Sequence, residues 1–155
     1  MSNNKLIINR TFNLPVSKVW HAWSDAESCK KWWGPKDFTC PSCTIDFRAG
    51  GKYLSAMSGP DGKVFWSTGV YKEIVQEKKL VCTDSFSDDK GNVIDAAGLG
   101  MPGNWPLECV VTVIFEEDGE KTKLQLHHVG IPAEMHDDCT IGWQQSFDKL
   151  EKNMK

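Results

Sequence analysis

The chain has 155 residues, 40% hydrophobic and 25% charged, enough for one domain with a full core of its own. Its 21 acidic and 18 basic residues give a net charge of −3, which argues against a nucleic-acid partner, since such a partner needs a basic face. No apolar run approaches the ~18 residues of a membrane span, and Met1–Lys5 lacks a secretion signal's apolar core, so a cytoplasmic location is expected.

Lys5 to Asn13 alternates loosely and reads as a first strand, ended by Leu14-Pro15. Pro15 suits the first position of a helix, where its missing N–H costs nothing, and Val16, Val19, Trp20 and Trp23 follow at helical spacing. Ser24-Asp25 offers an N-cap for a second short helix carrying Cys29, Trp32 and Trp33, closed by Gly34-Pro35. From Phe38 to Val129 the period becomes two. Strands are expected over 38–47, 52–58, 64–75, 80–86, 107–116 and 121–129, joined mostly by short glycine-rich turns that make neighbours antiparallel. The segment from Ser87 to Pro106 is the exception. A glycine- and proline-rich connection of that length reads as a functional lid. Finally Met135, Cys139, Trp143, Phe147, Leu150 and Met154 form one apolar helical stripe, with Asp137 and Asp138 in the early turns and Lys149, Lys152 and Lys155 near the end.

Strand, two short helices, six strands and a long helix predict an α+β domain spanning residues 1–155. An antiparallel sheet of seven strands curls around the C-terminal helix, with the helices on one face. A curled sheet gripping one helix leaves a gap at its wider end. Seven tryptophans are the compositional outlier, and they signal large aromatic surfaces around a core or such a cavity.

Two motifs carry less than they suggest. Cys40 and Cys43 open a strand rather than a helix, and three extended residues span roughly 10 Å, too far for a disulfide. A structural zinc would need a second close pair, so no metal is expected and all six cysteines are read as reduced. Gly98–Gly103 matches G-x-G-x-x-G, but it leads into a strand and contains Pro102. It is read as part of a flap with Trp105 at its tip, and no nucleotide or other cofactor is expected.

Four stretches together resemble a known family: FNLPVSKVWHAWSD (Phe12–Asp25), WWGP (Trp32–Pro35), IDFRAGG (Ile45–Gly51) and GWQQSFDKL (Gly142–Leu150), joined by Gly69-Val70-Tyr71. They are similar to the C-terminal domain of the activator of the ninety-kilodalton heat-shock chaperone's ATPase. That domain belongs to the START-like (SRPBCC), birch-pollen-allergen-like helix-grip superfamily. The resemblance implies the helix-grip fold and, from the superfamily at large, a cavity for hydrophobic ligands. The chain's length does not accommodate the co-chaperone's separate N-terminal domain, so ATPase activation is not the expected activity.

Strand parity nominates the cavity walls. Tyr53, Ser55, Met57, Trp66, Thr68, Cys82 and Cys109 are read as facing the concave side, with Trp105 over the mouth and Cys139, Trp143 and Phe147 on the last helix. Asp84 shares parity with Leu80 and Cys82, and His128 with Leu124 and Leu126, so both polar groups point inward. They either form a general acid–base pair or are satisfied by a hydrogen bond or by reaching solvent at the sheet margin, and the second reading is preferred. The primary expectation is binding of a small hydrophobic or amphipathic molecule, without enzymatic activity. A cyclase- or hydrolase-like enzyme using Asp84 and His128, and a co-chaperone or stress-response interaction module, are the alternatives. Partners would be that small molecule, or a chaperone or other protein, with the chain a monomer or a homodimer.

Overall fold

The computed structural model describes residues 5–99 and 103–154. Gly100, Met101 and Pro102 of the glycine motif, and Lys155 at the helix end, lie outside the described residues.

The first strand, β1 (Lys5–Phe12), runs into α1 (Val16–Ser24), with Pro15 at the N-cap, one residue earlier than expected. Asp25 opens α2 (Ala26–Cys29) by accepting the Ser28 N–H at 3.0 Å. Trp32 and Trp33 fall in the turn after α2 rather than on it. Tighter i to i+3 bonds from Lys31 and Trp32 end the helix, and the Trp32 indole donates to Ala22 O at 2.9 Å, tucking its ring beneath α1.

Six further strands follow: β2 (Thr39–Ile45), β3 (Lys52–Ser58), β4 (Val64–Val75), β5 (Lys79–Ser87), β6 (Cys109–Asp118) and β7 (Lys121–Val129). They form one antiparallel sheet of order β1-β7-β6-β5-β4-β3-β2. Although consecutive in sequence, β1 and β2 occupy opposite edges, so α1 and α2 carry the chain across the width of the sheet. As far as Leu99, the connection after β5 is less irregular than its composition suggests. Asp88 caps a turn by accepting N–H groups of Lys90 and Asn92, both at 2.9 Å, Ser87 bridges to Val93, and a short 3-10 turn at Ala96–Leu99 buries Ala96.

The long helix α3 (His136–Asn153) lies against this sheet, and its two halves differ. Phe147 and Leu150 are fully buried, and Phe147 meets Phe12 edge-on at 5.4 Å. Arg10 on β1 reaches Asp148 at 2.8 Å and Gln144 at 2.9 Å, while Lys149 donates to Phe38 O at 3.0 Å. These bonds clamp the C-terminal half from both edges of the sheet. Met135 at the N-cap and Cys139 and Trp143 of the other half are only partly buried. The helix is held at one end and stands off the sheet at the other, which positions the site.

Candidate functional site in a two-chambered cavity

The space under the N-terminal half of α3 holds roughly 320 Å³, within the range of small-molecule sites. Its walls come from α3 (Asp138, Cys139, Gly142, Trp143) and Met135 at its N-cap, from β5 to β7 (Asp84, Phe86, Cys109, His128) and from Met57 on β3. A second, inner chamber of about 40 Å³ lies between Trp23, Tyr53, Ser55, Tyr71, Cys82 and Val111. The two chambers share Trp33, Asp84 and Trp143, which therefore form the neck between them. Trp105 belongs to the outer wall, packed edge-on against Phe86 at 5.5 Å.

The polar groups at the neck form a chain. Trp143 Nε1–H donates to His128 Nδ1 at 3.2 Å, which places the ring's own proton on Nε2. That nitrogen faces Asp84 Oδ2 at 3.5 Å, too long for a hydrogen bond. Asp84 Oδ1 accepts the Tyr53 hydroxyl at 2.8 Å, and the same hydroxyl lies 3.1 Å from Thr83 O. Burial holds the His128 imidazole below its usual pKa, against the opposing pull of Asp84, so the ring is neutral near pH 7. Burial, reinforced by Asp84, pushes the Tyr53 phenol well above its usual value. With Nδ1 engaged by Trp143 and the Nε2 proton turned toward Asp84, the imidazole offers no free lone pair to the cavity. The arrangement suits orienting a ligand better than removing a proton from one.

Gly69 makes this chain possible. It lies on β4 between Tyr53 and Asp84, and a Cβ there would stand 1.9 Å from Thr83 O and 2.5 Å from the Tyr53 ring. Only a residue without a side chain lets the tyrosine cross β4 to reach the carboxylate.

Of the residues nominated from the sequence, Tyr53, Ser55, Met57, Cys82, Asp84, Trp105, Cys109, His128, Cys139 and Trp143 line one chamber or the other. Three do not. Trp66 and Thr68 sit on the convex face, because Ser55 pairs with Ser67 and it is Ser67, Gly69 and Tyr71 that point inward from β4. Phe147 is core. It contacts Phe12, Trp23, Trp32 and Trp143 and reaches neither chamber. Trp33, Tyr71 and Phe86 were missed. Phe86 shares parity with Leu80, Cys82 and Asp84, so counting alone could have found it. Trp33 lies in a turn with no period to count.

Cys40 and Cys43 also correct an expectation. A register shift between Thr39 and Ser42 turns both side chains to the buried side, where they cluster with Cys29. The three thiols lie within hydrogen-bonding reach in the order Cys40, Cys43, Cys29, and all are free. No group among the described residues has the makings of a metal site.

The model of the activator of Hsp90 ATPase homolog 1-like proteins matches residues 13–155. The chain belongs to that family. No curated protein matches it significantly. Among solved structures, a Chromobacterium violaceum protein superposes with a TM-score of 0.78 at 25% identity, covering 99% of this chain and 98% of that one. An Arthrobacter aurescens protein gives 0.79 at 23% identity, over 97% and 86% of the two chains. An AHSA1 protein of Silicibacter pomeroyi gives 0.75 at 22% identity, over 97% and 96%. The last two likenesses speak for the helix-grip fold of the AHSA1 family and for nothing beyond it. No helix among the described residues is long and apolar enough to cross a membrane.

Proposed function

We propose that this AHSA1-family protein binds a small hydrophobic or amphipathic molecule in the outer chamber, between the raised half of α3 and strands β5 to β7. The carrying observation is the cavity of roughly 320 Å³, walled by Met57, Phe86, Trp105, Met135 and Trp143 and closed at its inner end by a short polar chain. Apolar burial supplies the affinity, the neck orients the ligand, and the loop carrying Trp105 gates access.

The test is binding of the uncharged probe N-phenyl-1-naphthylamine, followed by its fluorescence. Cys139 lies on the half-exposed side of α3 and faces the chamber, so Cys139→Trp fills the space without touching the clamped end. Binding lost in Cys139→Trp but kept in Cys139→Ser supports the proposal, and binding kept in both removes it.

A protein partner is the second reading, favoured by one observation. Ile7, Val110 and Val129 cluster, exposed, on the convex face of β1, β7 and β6. A partner held there, as the chaperone in the family's name would be, stays bound in Cys139→Trp and is lost in Val110→Lys.

A further inference from the structure

The polar inventory of the two chambers is lopsided in a way that constrains what they accept. Their only charged side chains are Asp84 and Asp138, with no lysine or arginine among the described lining residues, and His128 is neutral. An anionic ligand would therefore meet two carboxylates and no counter-charge. Among the described residues, the buried side-chain nitrogens without a partner are Trp23 Nε1, Trp33 Nε1 and His128 Nε2, and all three are N–H donors. Trp23 and Trp33 line the inner chamber, while Trp33 and His128 line the outer one. His128 and Trp23 are each more than nine-tenths buried. Burying a donor without an acceptor costs free energy, so these groups call for an oxygen brought from outside. Beside them Asp84 Oδ2 is an acceptor without a good donor, since His128 Nε2 stands 3.5 Å away.

We infer that the ligand is an uncharged amphiphile whose polar end is a hydroxyl group seated at the neck between the chambers. This rests on the binding reading above and specifies its chemistry. A hydroxyl is the group that serves both needs at once: its proton goes to Asp84 Oδ2, and its lone pairs accept from His128 Nε2–H or Trp33 Nε1–H. A carboxylate brings acceptors but is repelled by Asp84 and Asp138. An ammonium pairs with Asp84 but brings no lone pair, so the three N–H groups stay unmet. An ether or ketone accepts from the N–H groups but brings no donor to Asp84 Oδ2, which its body would cover. The apolar body then lies in the outer chamber against Trp143, Phe86 and Trp105.

Four ligands with one naphthalene body separate these cases by calorimetric titration: 2-naphthol, 2-methoxynaphthalene, 2-naphthoate and 2-(aminomethyl)naphthalene. The expected result is that 2-naphthol binds about tenfold or more tightly than each of the others, the scale of one hydrogen bond to a charged group. In Asp84→Asn, the gap between 2-naphthol and 2-naphthoate narrows by a similar factor. The wild-type ranking stands as the test even where that variant does not fold. Equal affinities for all four, or tightest binding by the amine or the carboxylate, overturn the hydroxyl assignment while leaving the cavity as a binding site. Failure of all four to bind removes the binding reading itself.

Discussion

Replacing Gly69 by alanine tests how tightly the neck is built. The added methyl would sit 1.9 Å from Thr83 O and 2.5 Å from the Tyr53 ring, where real contacts are essentially never below 3.0 Å. The nearest obstacle is backbone, so β5 must retreat by about an ångström or the tyrosine must leave. Either movement breaks the Tyr53–Asp84 bond of 2.8 Å and disturbs the Val70 N–H bond to Thr83 Oγ1, also 2.8 Å. Overpacking of this kind costs ~1–3 kcal/mol, and the lost hydrogen bond to a charged acceptor adds ~1.5–3 kcal/mol. A loss of roughly 2.5–6 kcal/mol is expected, a large share of the ~5–15 kcal/mol that holds a domain folded. Urea denaturation followed by tryptophan fluorescence measures it. Gly98→Ala, where an added Cβ meets nothing within 4 Å, is the control and stays within about 0.5 kcal/mol of the parent. A Gly69→Ala protein within about 1 kcal/mol of wild type would refute the close approach and the role given to glycine there.

Two further outcomes follow from burial. Because His128 is held neutral in the fold, the unfolded chain takes up its proton first as pH falls, so stability declines on acidification below about pH 6.5 and is level above it. One such group gives a slope of at most about 1.4 kcal/mol per pH unit. His128→Gln flattens the slope, leaving the part due to His127, which burial and Lys5 also hold below its usual value, and a parent protein as stable at pH 5 as at pH 7 contradicts the assignment. The carboxyl of Asp25, lowered by hydrogen bonds from Ser28, adds its own loss only below about pH 4. The thiols behave as buried groups. Contact with Cys29 and burial push Cys43 up to about 12, while burial takes Cys109 to about 12 and Cys139 to about 11. In the native protein at pH 8, alkylation is slow and reaches the half-exposed Cys139 first. Rapid stoichiometric labelling of Cys40 or Cys43 would show that their cluster is open.

How much of this is legible in the sequence depends on the period of each element. The strands over 52–58, 64–75 and 121–129 and the helical stripe from Cys139 to Met154 carry clean periods, so their limits and the antiparallel order follow from pattern and turn length. His128 and Asp84 are found facing each other because parity along β5 and β7 is unbroken. Parity fails where the backbone departs from it. The shift in β2 puts Cys40 and Cys43 on one side against the count, while along β4 the alternation holds but does not say which face is inward, and Ser67 and Gly69 lie there because Tyr53 must pass over them. The role of Trp33 depends on a turn geometry that no period encodes. That Phe147 is core while Trp143, one turn before it, is cavity wall follows from α3 being clamped by Arg10 and Lys149 at one end, long-range bonds that local pattern does not contain.

The indole N–H groups of the seven tryptophans report directly on the central claim. Trp33, Trp105 and Trp143 line the outer chamber, Trp32 is buried with its N–H bonded to Ala22 O, and Trp66 lies on the convex face. In a two-dimensional nitrogen–proton NMR titration with N-phenyl-1-naphthylamine, the resonances of Trp33, Trp105 and Trp143 move together while that of Trp66 stays fixed. Movement of Trp66 with the three chamber indoles unchanged would place the ligand on the outer surface and contradict binding between the sheet and α3.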